Sequence, residues 1–181
     1  MGKFNQYKID LEKISAEPSA YSYELSQDFF DAINHDEVTK GDVKAELTVK
    51  RTNEAFEFDF HLFGTVQIPC DRCLDEMDQE IDTINRLVVR YGEEYSEETA
   101  ELIIFPEDKR IISIAWYLYE FIVLNIPIKH VHDEIDKCNK EMIAKYLEYQ
   151  AVDITDDEKV DDSSEEYTDP RWDALKKLKN K

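Results

Sequence analysis

Glycine is scarce in this sequence, with 4 in 181 residues. That scarcity excludes a glycine-rich nucleotide loop, which needs several glycines close together to bring backbone amides onto phosphates. Nor is there any apolar window near the roughly 20 residues that a membrane-spanning helix requires. The first residues, Met1-Gly2-Lys3-Phe4-Asn5-Gln6, carry no apolar signal region, and a cytoplasmic location is the expectation. Basic residues are outnumbered: 22 Lys and Arg stand against 42 Asp and Glu, a formal net charge of −20. A chain this acidic repels phosphate backbones and anionic membranes as a whole, so contact with nucleic acid has to be local. Nucleophile motifs and paired-carboxylate signatures are missing, and no carboxylate is isolated in an apolar run as a general acid would be. The expectation is a protein that is not an enzyme, with no small-molecule substrate and no membrane partner. Cysteines number 3, and in a reducing compartment an odd set is free or metal-bound rather than paired in disulfides.

What is present is organised around Phe56 to Met77. Phe56, Phe58, Phe60, Leu62, Val66, Ile68 and Cys70 share one parity, which in a strand places them on one apolar face ending at a thiol. Gly64 interrupts the run as a bulge in one long strand or as the bend between two shorter ones, and Pro69 closes it. Upstream, Tyr7 to Leu11, Tyr21 to Leu25 and Val43 to Val49 alternate as strands, Phe29, Phe30 and Ile33 fit a helical turn, and Thr52-Asn53-Glu54 reads as a hairpin turn. Downstream, Ile81 to Tyr91 is a strand, Tyr91 to Glu101 an acidic surface loop, and Leu102 to Phe105 a short strand ended by Pro106. Ile111, Ile114, Ala115, Leu118, Phe121 and Ile122 recur at helical spacing, and Trp116, Tyr117 and Tyr119 make that helix apolar nearly all round, hence buried. Cys138 to Gln150 is a further helix. The fold class expected is α+β: a mostly antiparallel sheet with one face covered by the helix at Ile111 to Leu124.

Residues 1–150 read as a single α+β domain and 151–169 as an acidic flexible linker, too poor in apolar side chains to offset the entropy of ordering. In 170–181, Trp172, Leu175 and Leu178 lie at helical spacing opposite lysines, giving a short basic amphipathic tail. Arg171, Trp172, Leu175, Lys176 and Lys177 are its candidate partner-binding residues.

Cys70-Asp71-Arg72-Cys73 sets two thiols a tight turn apart, and a third, Cys138, follows His130-Val131-His132. With one histidine, His132 in preference to His130, these make a Cys₃His set that zinc accepts. Two other readings stay open. In one, His132 is a hydrogen-bonded loop residue and Cys138 a buried thiol, since free cysteine behaves as a small hydrophobe. In the other, Cys70 and Cys73 are a redox pair, although the pair precedes acidic Asp75-Glu76-Met77-Asp78 and lacks the helix N-terminus that depresses a thiol pKa. Arg72 inside the turn is suited to pairing with a nearby carbonyl or carboxylate, or to meeting a partner such as an RNA phosphate.

The residues also resemble a family. Cys70-Asp71-Arg72-Cys73-Leu74 after a strand containing Gly64, the apolar helix followed by Ile126-Pro127-Ile128, Val131-His132-Asp133 leading to Cys138, and the closing Asp169-Pro170-Arg171-Trp172-Asp173-Ala174-Leu175-Lys176-Lys177-Leu178 are similar, in order and approximate spacing, to the bacterial and plastid YceD proteins. The resemblance implies a role in accumulation of 23S ribosomal RNA and large-subunit biogenesis, without enzymatic activity. The partner expected from the acidic surface of the body is a ribosomal protein or an RNA-processing factor, with the tail engaging RNA locally or a partner groove. Many relatives carry a second Cys-x-x-Cys where this chain has only Cys138, which leaves the mixed Cys₃His set as the metal option. Two alternatives remain beside it: a zinc- or redox-responsive cysteine module, and an acidic interaction domain that imitates nucleic acid.

Overall fold

A computed structural model describes residues 4–53 and 55–149. The linker expected at 151–169 and the tail with Arg171, Trp172, Leu175, Lys176 and Lys177 lie outside the described residues, as does Glu54 of the expected turn.

The alternating run forms one strand, β4 (Phe56–Pro69), inside a six-stranded sheet. Its neighbours are β3 (Lys40–Arg51) and β5 (Glu76–Gly92), both antiparallel to it. Beyond β3 lies β2 (Ser19–Leu25), and beyond β5 lie β7 (Leu102–Pro106) and then β6 (Ser96–Thr99). All pairings in this sheet are antiparallel except β5 with β7. A second, two-stranded sheet joins β1 (Lys8–Asp10) to β8 (Ile111–Ser113). The helices are α1 (Gln27–Ile33), α2 (Ala115–Asn125) and α3 (Lys140–Tyr149), so the class is α+β with a mostly antiparallel sheet. Met1–Tyr146 forms one compact unit; Leu147–Lys181 is a second, of which only the first three residues are described.

Strand parity decides where the core sits. Phe56, Phe58, Phe60, Leu62, Val66 and Ile68 of β4 are all buried, beside Val43, Ala45, Leu47 and Val49 of β3 and Ile81, Leu87 and Val89 of β5. This face is covered by Leu118, Phe121 and Ile122 of α2, by Phe29 and Phe30 of α1 and by Tyr7, Ile9 and Leu11. Phe60 meets Phe121 edge-on at 5.2 Å between ring centroids. The opposite face is charged and exposed, with Arg86 donating to Asp59 at 2.8 Å and Lys50 paired to Glu57 at 2.9 Å. Such exposed pairs contribute only a few tenths of a kcal/mol each, and their main effect is on register.

Gly64 is neither a bulge nor a bend. Pairing runs through it without a shift, to Val43 on one side and Ile81 on the other. Its φ is +151°, and a Cβ there would sit 2.3 Å from the carbonyl oxygen of Asp42. Glycine is required by the close approach of β3, and the strand stays whole because of it.

Three other expectations change. The helix expected from Ile111 starts at Ala115, because Ile111–Ser113 pairs with β1, and Ile114 donates its N–H to the Tyr7 carbonyl at 2.9 Å. Ile112 and Ile114 are buried while Ile111 is exposed, so the two-residue period of a strand prevails over the helical spacing. Nor is α2 buried all round: Trp116 is 52% and Leu124 73% exposed. Inside the acidic stretch expected as a loop, Ser96–Thr99 forms an edge strand against β7; its four residues are all exposed and carry no apolar pattern.

Candidate metal centre

At the end of β4 the buried face runs out onto the turn Asp71-Arg72-Cys73. Leu74 N–H donates to the Cys70 carbonyl at 2.8 Å, and Cys70 N–H donates to the Asp75 carbonyl at 2.9 Å. Leu74 closes the turn in the left-handed region at φ 65°, which strains a branched side chain and shows how tightly the knuckle is drawn. Cys70 and Cys73 therefore point inward from a hairpin connection between β4 and β5. The third thiol arrives from the other side. After α2, the chain turns at Pro127, crosses His130 to His132 and reaches Cys138 just past a 3₁₀ turn, Ile135–Lys137.

The ligand atoms of Cys70, Cys73, His132 and Cys138 all lie within 4.8 Å of one another. The three cysteines are free, and they are 0, 1 and 5% exposed. His132 Nδ1 is 3.6 Å from both Cys73 Sγ and Cys138 Sγ. A tetrahedral zinc ion with bonds of about 2.3 Å to sulfur and about 2.05 Å to nitrogen sets sulfur and nitrogen about 3.5 Å apart, so the spacing fits that ion. The donors fit as well: soft thiolates and one imidazole, a closed set typical of structural sites. Met77, Val131, Met142 and Ile143 pack around the cluster and shield it from water.

Electrostatics favour thiolate at Cys70. Burial pushes the Cys70 thiol up, but the backbone amides of His132, Arg72 and Cys73 and the His132 ring outweigh it and hold the thiol at about 6. Among the described residues no helix N-terminus donates to this thiol; the amides of the knuckle take that part instead. Cys138 is shifted up, by burial first and by its hydrogen bond with Cys73, against the lowering effect of Arg72. Arg72 is half-buried, with Nη1 3.8 Å from Cys138 Sγ. Three thiolates with a divalent ion would leave one net negative charge, which the guanidinium would offset from beside the cluster.

His130 stands apart from the four. Its Nδ1 donates to the Pro127 carbonyl at 3.0 Å, and its Nε2 lies 3.3 Å from Asp71 Oδ1. Asp71 ties the two segments together: Oδ2 accepts from the His130 N–H at 2.8 Å, and the Asp71 N–H donates to the His130 carbonyl at 2.9 Å. Sequence reasoning missed this brace. The signal available was an aspartate inside a tight turn, a residue type that closes on nearby backbone N–H groups. Replacing Asp71 by Ala removes the side-chain half of the brace, and zinc affinity is expected to fall about 10- to 100-fold, the usual effect of an outer-shell contact. Competition with a chromophoric chelator measures it, and unchanged affinity would show that the loop is positioned without Asp71.

A sheet that ends in a thiol and imidazole knuckle, closed by a loop from beyond the covering helix, defines an α+β protein with a Cys/His cluster that could hold a metal ion. The chain belongs to the family described as "Large ribosomal RNA subunit accumulation protein YceD", which matches it over residues 58–179. The match runs from β4 through the knuckle, α2 and the Cys138 loop, and leaves β1 to β3 outside. Neither the curated proteins nor the solved structures contain a match to the chain. Among the described residues no helix is long and apolar enough to cross a membrane.

Proposed function

We propose that the chain is a non-enzymatic factor in 23S ribosomal RNA accumulation and large-subunit biogenesis, acting by binding a basic ribosomal protein or an RNA-processing factor. The observation that carries this reading is the family match, taken with an excess of 42 acidic over 22 basic residues. An acidic body attracts basic proteins of the ribosome and repels bare RNA. In this reading residues 1–150 are the binding body, 151–169 a linker and 170–181 a basic tail, and the site of action is cytoplasmic. Arg171, Trp172, Leu175, Lys176 and Lys177 of the tail engage RNA or a groove on the partner. Zinc, held by Cys70, Cys73, His132 and Cys138, supplies a structural tie between the strand end and the Cys138 loop and offers no open position for chemistry. Deleting residues 171–181 is expected to lower co-purification with large-subunit precursors at least fivefold while the thermal unfolding of the body is unchanged. Undiminished co-purification would remove the tail from the account.

A second reading is a redox-responsive thiol module, favoured by the Cys70 thiol held near 6 beside two buried thiols. A Cys70→Ser chain with an unaltered response to oxidant would eliminate it.

A further inference from the structure

β5 is longer than its partners on one side. It pairs with β4 from Glu76 to Val89, but with β7 only from Val88 to Gly92. Among the described residues, no backbone hydrogen bond reaches the free side of Met77 to Leu87, and the Gln79 side-chain amide donates to the Glu80 carbonyl at 3.0 Å. That is a strand edge of eleven residues, about 35 Å long at the usual rise. Folded proteins blunt edges of this length, because unpaired amides and carbonyls template another strand.

Side chains along this edge select what it would pair with. On the solvent face Glu76, Asp78, Glu80 and Asp82 follow one another at every second residue, all exposed. Glu76 is paired to Lys40 at 2.6 Å and Asp82 lies 3.0 Å from His61, whereas Asp78 has only the Gln67 amide at 3.3 Å and Glu80 no partner among the described residues. On the other face Leu87 shares a groove with Phe121 and Leu124 of α2. Toward the knuckle a second, largely polar groove runs between β5, from Glu76 to Glu80, and the loop of Pro127 to Asp133. Lys129 and Lys137 also line the second groove, outnumbered there by Glu76, Asp78, Glu80 and Asp133.

We propose that the free edge of β5 accepts an extended polypeptide segment of alternating basic and apolar residues as an added strand. Lysines or arginines would meet the Glu76 to Asp82 row, and the alternate apolar side chains would extend the layer under α2. A second copy of this chain is the wrong occupant, since edge-to-edge pairing would bring two rows of carboxylates together. The proposal rests on the reading that the body binds a basic partner, and it names the mode of binding.

The test uses the full chain and two synthetic heptapeptides of equal charge, Lys-Val-Lys-Thr-Lys-Val-Lys and Lys-Pro-Lys-Pro-Lys-Pro-Lys, the second lacking every second amide and unable to continue a strand ladder. The first is expected to slow amide hydrogen exchange at least tenfold at alternate residues between Met77 and Asn85, and to bind at least tenfold more tightly than the second. A chain carrying Asp78→Lys and Glu80→Lys, both exposed, should lose the first peptide without losing its fold. Equal binding of the two peptides, or binding without protection of β5, would overturn strand addition and leave the acidic-body reading standing. Absence of binding by a chain that still co-purifies with large-subunit precursors would likewise overturn the edge alone. A chain that binds neither peptide nor precursors would overturn both.

Discussion

A Cys138→Ser chain is expected to purify with almost no zinc, where the unaltered chain carries close to one ion each, and to unfold with a loss of about 3 kcal/mol or more. The reason lies in what an ion held there would join. Cys70 and Cys73 belong to the connection between β4 and β5, whereas His132 and Cys138 belong to a loop reached only after β6, β7, β8 and α2. Among the described residues that loop meets the knuckle through the Asp71 and His130 brace, through Arg72 Nη1 at 3.8 Å from Cys138 Sγ, through Asn139 donating to Asp75 at 3.4 Å and through the side chains packed about the thiols. Binding free energy of the metal therefore appears as folding free energy of this end of the molecule. Chelator should lower the stability of the unaltered chain to that of the variant and leave the variant itself unmoved. Equal stability of the two chains in zinc-replete buffer would mean that the cluster packs as three small buried thiols.

The second large effect is expected at Gly64. An alanine there must adopt φ near +151° and place its Cβ 2.3 Å from the Asp42 carbonyl oxygen, in backbone that cannot move without opening the pairing of β3 with β4. Strain of this kind costs about 1–3 kcal/mol, and the clash with backbone adds to it, so Gly64→Ala should destabilise the chain by about 3 kcal/mol. Urea unfolding followed by tyrosine and tryptophan fluorescence measures it. A loss below about 1 kcal/mol would show that β3 yields easily at this point. Val66 and Ile68 carry the strand from Gly64 to Cys70, so a shifted register would also displace the first ligand.

The centre of the fold was legible because its residues obey one period and little competes with it. From Phe56 to Ile68 every second side chain, Gly64 aside, is apolar, and those are the buried ones. Ile111–Ser113 was not legible, because Ile111, Ile114 and Ala115 satisfy helical spacing as well, and only the backbone of Tyr7 to Asp10, about a hundred residues away, selects the strand. Ser96–Thr99 carries no apolar side chain, so pairing with β7 leaves no trace in its composition. The parallel alignment of β5 with β7 is likewise a property of topology that neither strand's pattern encodes.

The same distinction holds at the cysteines. Residue types and spacing sufficed to single out Cys70, Cys73, His132 and Cys138, and those are the side chains whose ligand atoms converge. Between His130 and His132, two residues apart on one loop, spacing gave only a preference for His132. The structure engages the ring of His130 with Pro127 and Asp71 and turns His132 toward two sulfurs. Arg72, read from sequence as a side chain for a carboxylate or a partner, reaches Cys138 Sγ, because the tight turn folds it back over the thiol. The open edge of β5 had no sequence signal, since it exists only where β7 stops.

We propose that this chain supports accumulation of the large-subunit RNA by binding and not by catalysis. The most direct measurement is the ratio of 23S to 16S ribosomal RNA in cells depleted of the chain, with and without complementation by the unaltered sequence. The ratio is expected to fall on depletion and to recover on complementation in proportion to the amount of chain supplied, as a stoichiometric binder requires. A ratio that stays constant on depletion would contradict the function, and full recovery from a trace of the chain would contradict the mode.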